Sequence, residues 1–128
     1  MSDEHKQYYD FLIIGAGGFL GAASRYLLAG QFTAVYGTLF VNVLGSILLG
    51  FLMYSSDHLG YISAKKKMFF GIGFLGSLTT FSAFSVQSFQ MNIPASVINI
   101  GLNITLCVAG VIAGRKLVIF IADRRSTE

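Results

Sequence analysis

Polar and apolar positions divide this chain into four long apolar stretches separated by short polar ones. The stretches cover residues 11–28, 37–54, 68–89 and 94–114, with Arg25 the one charged residue inside any of them. At 1.5 Å rise per residue each is roughly 27–33 Å long as a helix, which matches a hydrocarbon core of about 30 Å. The pattern predicts an all-α membrane protein of four transmembrane helices in a single domain spanning residues 1–128.

The third stretch breaks the pattern internally. Residues 71–85 place Gly76, Ser77, Thr79 and Thr80 at mid-run, where a lipid-facing helix carries aliphatics. A Gly-Ser pair followed by two threonines invites a break, because glycine is permissive and hydroxyls offer the backbone alternative partners. Irregular backbone at membrane depth survives only where it is buried in protein or lines a watery path. Beyond the break, Phe81 and Phe84 share one face and Gln87 falls on the same row. Thr79, Ser82 and Ser85 form a second, hydroxyl row. In the second helix Asn42 needs a partner inside hydrocarbon, and Thr38 lies one turn earlier on the same face. Asn99 and Asn103, four apart in the fourth helix, either bond to another helix or line a path. Gly17 with Gly21, Ser46 with Gly50, and Gly110 with Gly114 give the four-residue spacing of small residues that lets helices approach closely.

Composition agrees with the pattern. The chain is 54% hydrophobic and 12% charged, too apolar for a soluble domain of 128 residues. A net charge of +3 could suggest nucleic acid, but the basic residues sit in loops and near the C-terminus. Lys6, Lys65, Lys66, Lys67, Arg115, Lys116, Arg124 and Arg125 fall on one side of a four-helix layout and Arg25 near the other, which favours both termini in the cytoplasm. The first ten residues carry three acids and one lysine, unlike the basic start of a cleaved signal peptide, so the first helix is expected to be retained. Arg25 reads either as a snorkelling anchor or as a fixed charge at an anion vestibule.

The chemistry available is limited. Residues 11–21 imitate the glycine turn of a dinucleotide-binding fold, but residues 30–42 lack the acid that would hold a ribose, and no second strand–helix unit follows, so no nucleotide is expected. No carboxylate lies in an apolar stretch, neither His5 nor His58 does, and the lone Cys107 reads as a small buried hydrophobe. Catalysis is not expected. The missing intramembrane acid also disfavours a small four-helix multidrug or cation exporter. Neutral donors and phenyl rings suit passive conduction of a hydrogen-bond acceptor, because the positive edge of a ring can face an anion. A non-conducting assembly subunit, using its glycines and asparagines only for packing, is the other alternative.

Residues 73–85, Gly-Phe-Leu-Gly-Ser-Leu-Thr-Thr-Phe-Ser-Ala-Phe-Ser, resemble the core motif of the Fluc (CrcB) family of fluoride channels. Residues 37–46 and 21–26 extend the likeness across essentially the whole chain. The resemblance implies an antiparallel, dual-topology homodimer in the cell (inner) membrane that exports fluoride passively and confers fluoride resistance. It implies a structural sodium ion held by the backbone carbonyls of Gly76 and Thr79 from both subunits. It assigns Asn42, Phe81 and Phe84 to the pore, Ser82, Ser85 and Thr38 to a hydroxyl track, and Arg25 to the vestibule. Ser77 stands where a second glycine is common, and Gln87 where many relatives carry glutamate. The basic residues divide eight to one, more asymmetric than dual topology implies, which leaves an oppositely oriented partner subunit as the other option.

Overall fold

The computed structural model describes residues 3–60 and 62–126; the side chains of Asp3, Glu4, His58, Leu59, Arg125 and Ser126 lie outside the described residues. Helix α1 (Asp3–Ala29) is followed by α2 (Ala34–Leu59). Next comes α3 (residues 64–78), then α4 (Phe81–Gln90) and α5 (Ile93–Ser126). Four spans are long and apolar enough to cross a membrane, the third being α3 and α4 together. The helices run past the apolar stretches because polar residues at their ends extend the hydrogen-bond ladder into the headgroup region and water. α5, for example, continues through Arg115 and Lys116 to Ser126.

Helix α3 is built of three pieces: Ala64–Lys66, a π-helical Lys67–Leu75 and Gly76–Leu78. In a π turn, residues five apart stack on one face. Phe69 and Phe74 thereby present their backbones to Gly17 and Gly21, four apart on α1. A Cβ added to Gly17 would strike the Phe69 carbonyl, and one added to Gly21 the Phe74 carbonyl. Helices α2 and α5 interlock in the same way, with Gly50 against the Val111 backbone and Gly114 against Ile47 and Phe51. The bundle is thus two tight pairs, α1 with α3 and α2 with α5, joined through α1–α2 and α2–α3 contacts. Gly17, Gly21, Gly50 and Gly114 all serve the close approach that their spacing predicts.

The break falls on the threonine pair. Gly76 and Ser77 stay helical, while Thr79 (φ −79°, ψ 158°) and Thr80 (φ −147°, ψ 120°) are extended, a conformation that β-branched residues adopt readily. Thr80 Oγ1 then accepts from Ala83 N at 3.2 Å and caps α4. The break takes Thr79 off the row with Ser82 and Ser85. Gln87 also leaves the Phe81–Phe84 row, because a three-residue step falls about 60° short of a full turn and two such steps carry it round the helix.

Three basic residues, Lys65, Lys67 and Arg115, gather at one end of the bundle. Lys65 lies over the Tyr9 ring (4.7 Å), Lys67 pairs with Asp57 (3.1 Å) and Arg115 lies over Tyr54 (5.1 Å). Each contact ties the ends of two helices together in the interfacial zone where such pairs are exposed and individually weak.

Backbone contact at Gly114 leaves no room for a side chain. Gly114→Val is expected to lower stability by about 1–3 kcal/mol, whereas Gly15→Ala, with nothing within 4 Å of the added Cβ, is expected to be neutral or slightly stabilising. Unfolding midpoints in detergent micelles check both.

Candidate functional site

Breaking a helix frees the backbone groups that its ladder would have paired, and each needs a substitute at membrane depth. At Thr80 both substitutes come from one side chain. Thr80 N donates to Asn42 Oδ1 at 2.8 Å, and Asn42 Nδ2 donates to Thr80 O at 3.1 Å. Asn42 therefore holds both backbone polar groups of Thr80 as a neighbouring strand would. Gly45, one turn on along α2, receives the Thr79 methyl group against its Cα, which seats the break on α2.

This pairing has a consequence for two carbonyls. In a continuous helix Thr80 N would bond Gly76 O, and Ala83 N would bond Thr79 O. Here those amides go to Asn42 and to the Thr80 hydroxyl, so both carbonyls are released from the ladder. Thr79 O accepts instead from Arg25 Nη1 at 3.3 Å. Arg25 is half-buried and turned inward to the break.

Helix α5 extends the clamp. Asn42 Nδ2 also reaches Asn103 Oδ1 at 3.4 Å, and Asn103 donates to Asn99 O (3.0 Å) and Asn99 Oδ1 (3.1 Å). Asn99 Nδ2 donates to Ser88 Oγ at 2.9 Å, and Ser88 to Phe84 O at 2.9 Å. A buried polar chain thus runs from the break through α2 and α5 back to α4. Asn99 bonds to α4 and Asn103 to α2, and Asn103 also borders a cavity beside the break, so both of the roles that the spacing allowed are represented. The participation of Ser88 was not legible, because nothing in a serine one turn beyond Phe84 distinguishes it from a lipid-facing one.

Two open-sided cavities flank the break, and Thr80 borders both. The first, about 390 Å³, is lined by Asn42, Thr79, Phe81, Phe84 and Asn103 among others, and Gly76 opens onto it. The Phe81 and Phe84 rings stand 5.7 Å apart at 56°, and Phe81 is 80% exposed in the single chain. The second, about 480 Å³, gathers Arg25, Thr38, Ser82 and Gln87. Ser85 borders neither and donates its proton to Phe81 O at 2.9 Å. Of the hydroxyl track, the structure brings Thr38 and Ser82 together beside Arg25. Among the described residues no three His, Cys, Asp or Glu side chains converge, and the oxygen atoms at the break are those of backbone carbonyls, the threonine hydroxyls and the Asn42 amide.

Fold and site together define a multi-pass helical membrane protein whose third span is broken at a polar, carbonyl-bearing joint between two cavities. The profile of the family described as "CrcB-like protein, Camphor Resistance (CrcB)" matches residues 12–115, and the chain belongs to that family. It is similar to the "Fluoride-specific ion channel FluC 2" of Methanosarcina barkeri, 45% identical over 124 residues covering 97% of this chain and 98% of the relative. The protein of the same name from Methanosarcina mazei is 42% identical over 124 residues, with the same coverage. A "Fluoride-specific ion channel FluC" of Clostridium perfringens is 42% identical over 118 residues, covering 83% of this chain and 91% of its own. These relatives are ion channels, not enzymes.

Removing the Asn42 amide leaves the Thr80 N–H and C=O without partners, at about 1–3 kcal/mol for each group. Asn42→Leu is expected to lower the unfolding midpoint and to speed hydrogen exchange at the Thr80 amide selectively, as mass spectrometry of the micellar protein would read.

Proposed function

We propose that this chain is a fluoride-selective passive channel that lets fluoride out of the cell across the inner membrane and lowers its cytoplasmic concentration. The observation that carries this is the Thr79–Thr80 break held beside paired Phe81 and Phe84 rings, in a chain that matches fluoride-specific channels along almost its whole length. Taking a small anion into a low-dielectric interior costs on the order of 20 kcal/mol by the idealised Born estimate, so the path must supply donors in place of water. Arg25 draws the anion into the larger cavity, where hydroxyl groups replace part of its hydration. Ring edges at Phe81 and Phe84 then offer partial positive charge without a competing cation. No group on this route exchanges a proton, so conduction is passive.

The working unit in this reading is an antiparallel dual-topology homodimer. The exposed Phe81 ring and the open side of the first cavity give a second copy a surface to close. The freed carbonyls of Gly76 and Thr79 suit a hard alkali cation, as unwound carbonyls in broken membrane helices do. One chain offers two such oxygens, so a shell needs the partner copy, and Arg25 must share Thr79 O with the ion. Sodium, when bound, supplies a fixed positive charge that holds the two breaks together. The gathering of Lys65, Lys67 and Arg115 at one end favours a second arrangement, in which a different, oppositely oriented subunit completes the pair.

Fluoride efflux from liposomes, followed with an ion electrode beside chloride-loaded controls, tests the function. Rapid fluoride release without chloride release is expected, with strong loss in Phe81→Ile and in Phe84→Ile while the dimer persists. Replacing sodium by a bulky organic cation is expected to weaken both flux and dimer. Equal leakage of both anions would remove the selectivity claim. Orientation is read separately: a cysteine introduced at Lys65 should be labelled from both membrane faces in a dual-topology homodimer, and from one face only if a distinct partner is required.

A further inference from the structure

Two cations on α5 stand deeper than their neighbours on the other helices. Helices α2 and α5 run side by side in one direction, and their contacts fix the register: Gly110 packs against Val43, Ser46 and Ile47, and Gly114 against Ile47 and Phe51. Arg115 and Lys116 are therefore level with Phe51 and Leu52 of α2, inside the apolar stretch that ends at Tyr54. On α3 the same level is Gly71, which meets the Leu52 side chain, whereas Lys67 pairs with Asp57 at the rim. Leu52 and Asp57 are five residues apart on α2, so the α5 pair leaves its helix roughly 7 Å inboard of that rim. Beyond the pair the helix turns apolar again, with Val118 buried and Leu117, Phe120 and Ile121 exposed. The two cations interrupt an apolar span rather than end it.

The acids of the chain do not answer them. Arg115 stacks on the Tyr54 ring at 5.1 Å, which leaves its charge in place, and Asp57 is taken by Lys67. Among the described residues no carboxylate pairs with Arg115 or Lys116. Lys116 stands two residues from both Gly114 and Val118, the bundle-facing positions, so it points away from the bundle. On that outer face it belongs to a row of residues four apart, Lys116, Phe120 and Arg124, and the Arg124 guanidinium folds back over the Phe120 ring at 4.7 Å. Phe120, 56% exposed, is thus bracketed along the helix by a cation on either side. Lys116 and Arg124 are separated by roughly 12 Å of helical rise, which a snorkelling lysine stem and a folded-back arginine close around one phosphate-sized group.

We propose that this face of α5 binds the headgroup of an anionic phospholipid, one whose phosphodiester carries no ammonium group. The phosphate sits at the level of Phe120, between Lys116 and Arg124, and the acyl chains run inward along Ile112 and Val108, which continue the same row and are exposed. Depth and charge together choose this occupant. A soluble anion would have to settle among exposed apolar side chains, whereas a lipid phosphate is carried there by its own chains, and basic residues on apolar helix surfaces suit such headgroups. A zwitterionic headgroup would bring its own ammonium against Arg115, Lys116 and Arg124. Lys65 and Lys66, beside Lys67 at the rim, contribute only to the general field. The site is separate from the broken span and does not depend on what the protein conducts.

Native mass spectrometry of the full chain in mild detergent, titrated with phosphatidylglycerol or with phosphatidylcholine of the same acyl chains, tests this. Wild type is expected to hold one phosphatidylglycerol per chain well below the concentration at which phosphatidylcholine binds. Arg115→Gln/Lys116→Gln should weaken that binding about thirtyfold, at about fivefold per cation, whereas Lys65→Gln/Lys66→Gln, the same change of charge at the rim, should shift it by less than about twofold. Equal losses in the two double variants would reduce the effect to net charge, and equal binding of the two lipids would remove the headgroup claim. Displacement of phosphatidylglycerol by free glycerol phosphate would make this a site for a soluble anion. Lipid carried by the monomer and absent from the dimer would make the face a contact between copies. Each of these four results overturns the proposal. Should the Arg115→Gln/Lys116→Gln protein fail to assemble, Lys116→Gln alone decides: binding about fivefold weaker supports the site, and unchanged binding refutes it.

Discussion

Everything at the centre of this molecule depends on the backbone of one residue, Thr80. A helix interrupted at membrane depth must satisfy the N–H and C=O it exposes, and at Thr80 a single asparagine on the neighbouring helix does both. Because Asn42 takes the Thr80 N–H and the Thr80 hydroxyl takes the Ala83 N–H, the carbonyls of Gly76 and Thr79 are turned out of the ladder. The same bonds that make the break affordable therefore create its chemistry.

That arrangement is rigid because it is tied in several directions. Glycine-mediated contacts hold α1 to α3 and α2 to α5 at backbone distance, which leaves the break no freedom to slide along either pair. The asparagine–serine chain then fixes α4 to α5, so the orientation of Phe81 and Phe84 follows from bonds made on the far side of their own helix. Buried networks of this kind are stable only when nearly every group is satisfied. Gln87 Oε1 is the buried side-chain nitrogen or oxygen atom among the described residues without a partner, and Gln87 borders the larger cavity.

Neutral groups do most of this work. Apart from Arg25, the charged side chains lie outside the apolar stretches, and Lys65, Lys67 and Arg115 hold helix ends together at one face of the bundle. Inside the bundle the polar groups are therefore dipoles, with Arg25 the one charged side chain in the apolar stretches.

The sequence by itself determined the four spans, the glycine seams and the presence of a break, because hydrophobic length, four-residue spacing and threonine pairs are local signals. It also carried the family, since residues 73–85 form a contiguous motif. Tertiary structure alone decided which residues answer the break. That Asn42 meets Thr80, that Arg25 turns to Thr79 O, and that Gln87 spans to Ala34 and Thr38 are pairings 38, 54, 53 and 49 residues apart. It separated Ser82, beside Arg25, from Ser85, whose proton is spent on its own helix. The physical reason is that a hydroxyl or an amide has the same sequence signature whether it bonds its own backbone, another helix or an ion. Only the positions of the acceptors around it choose among them, and those positions are set by how the helices pack.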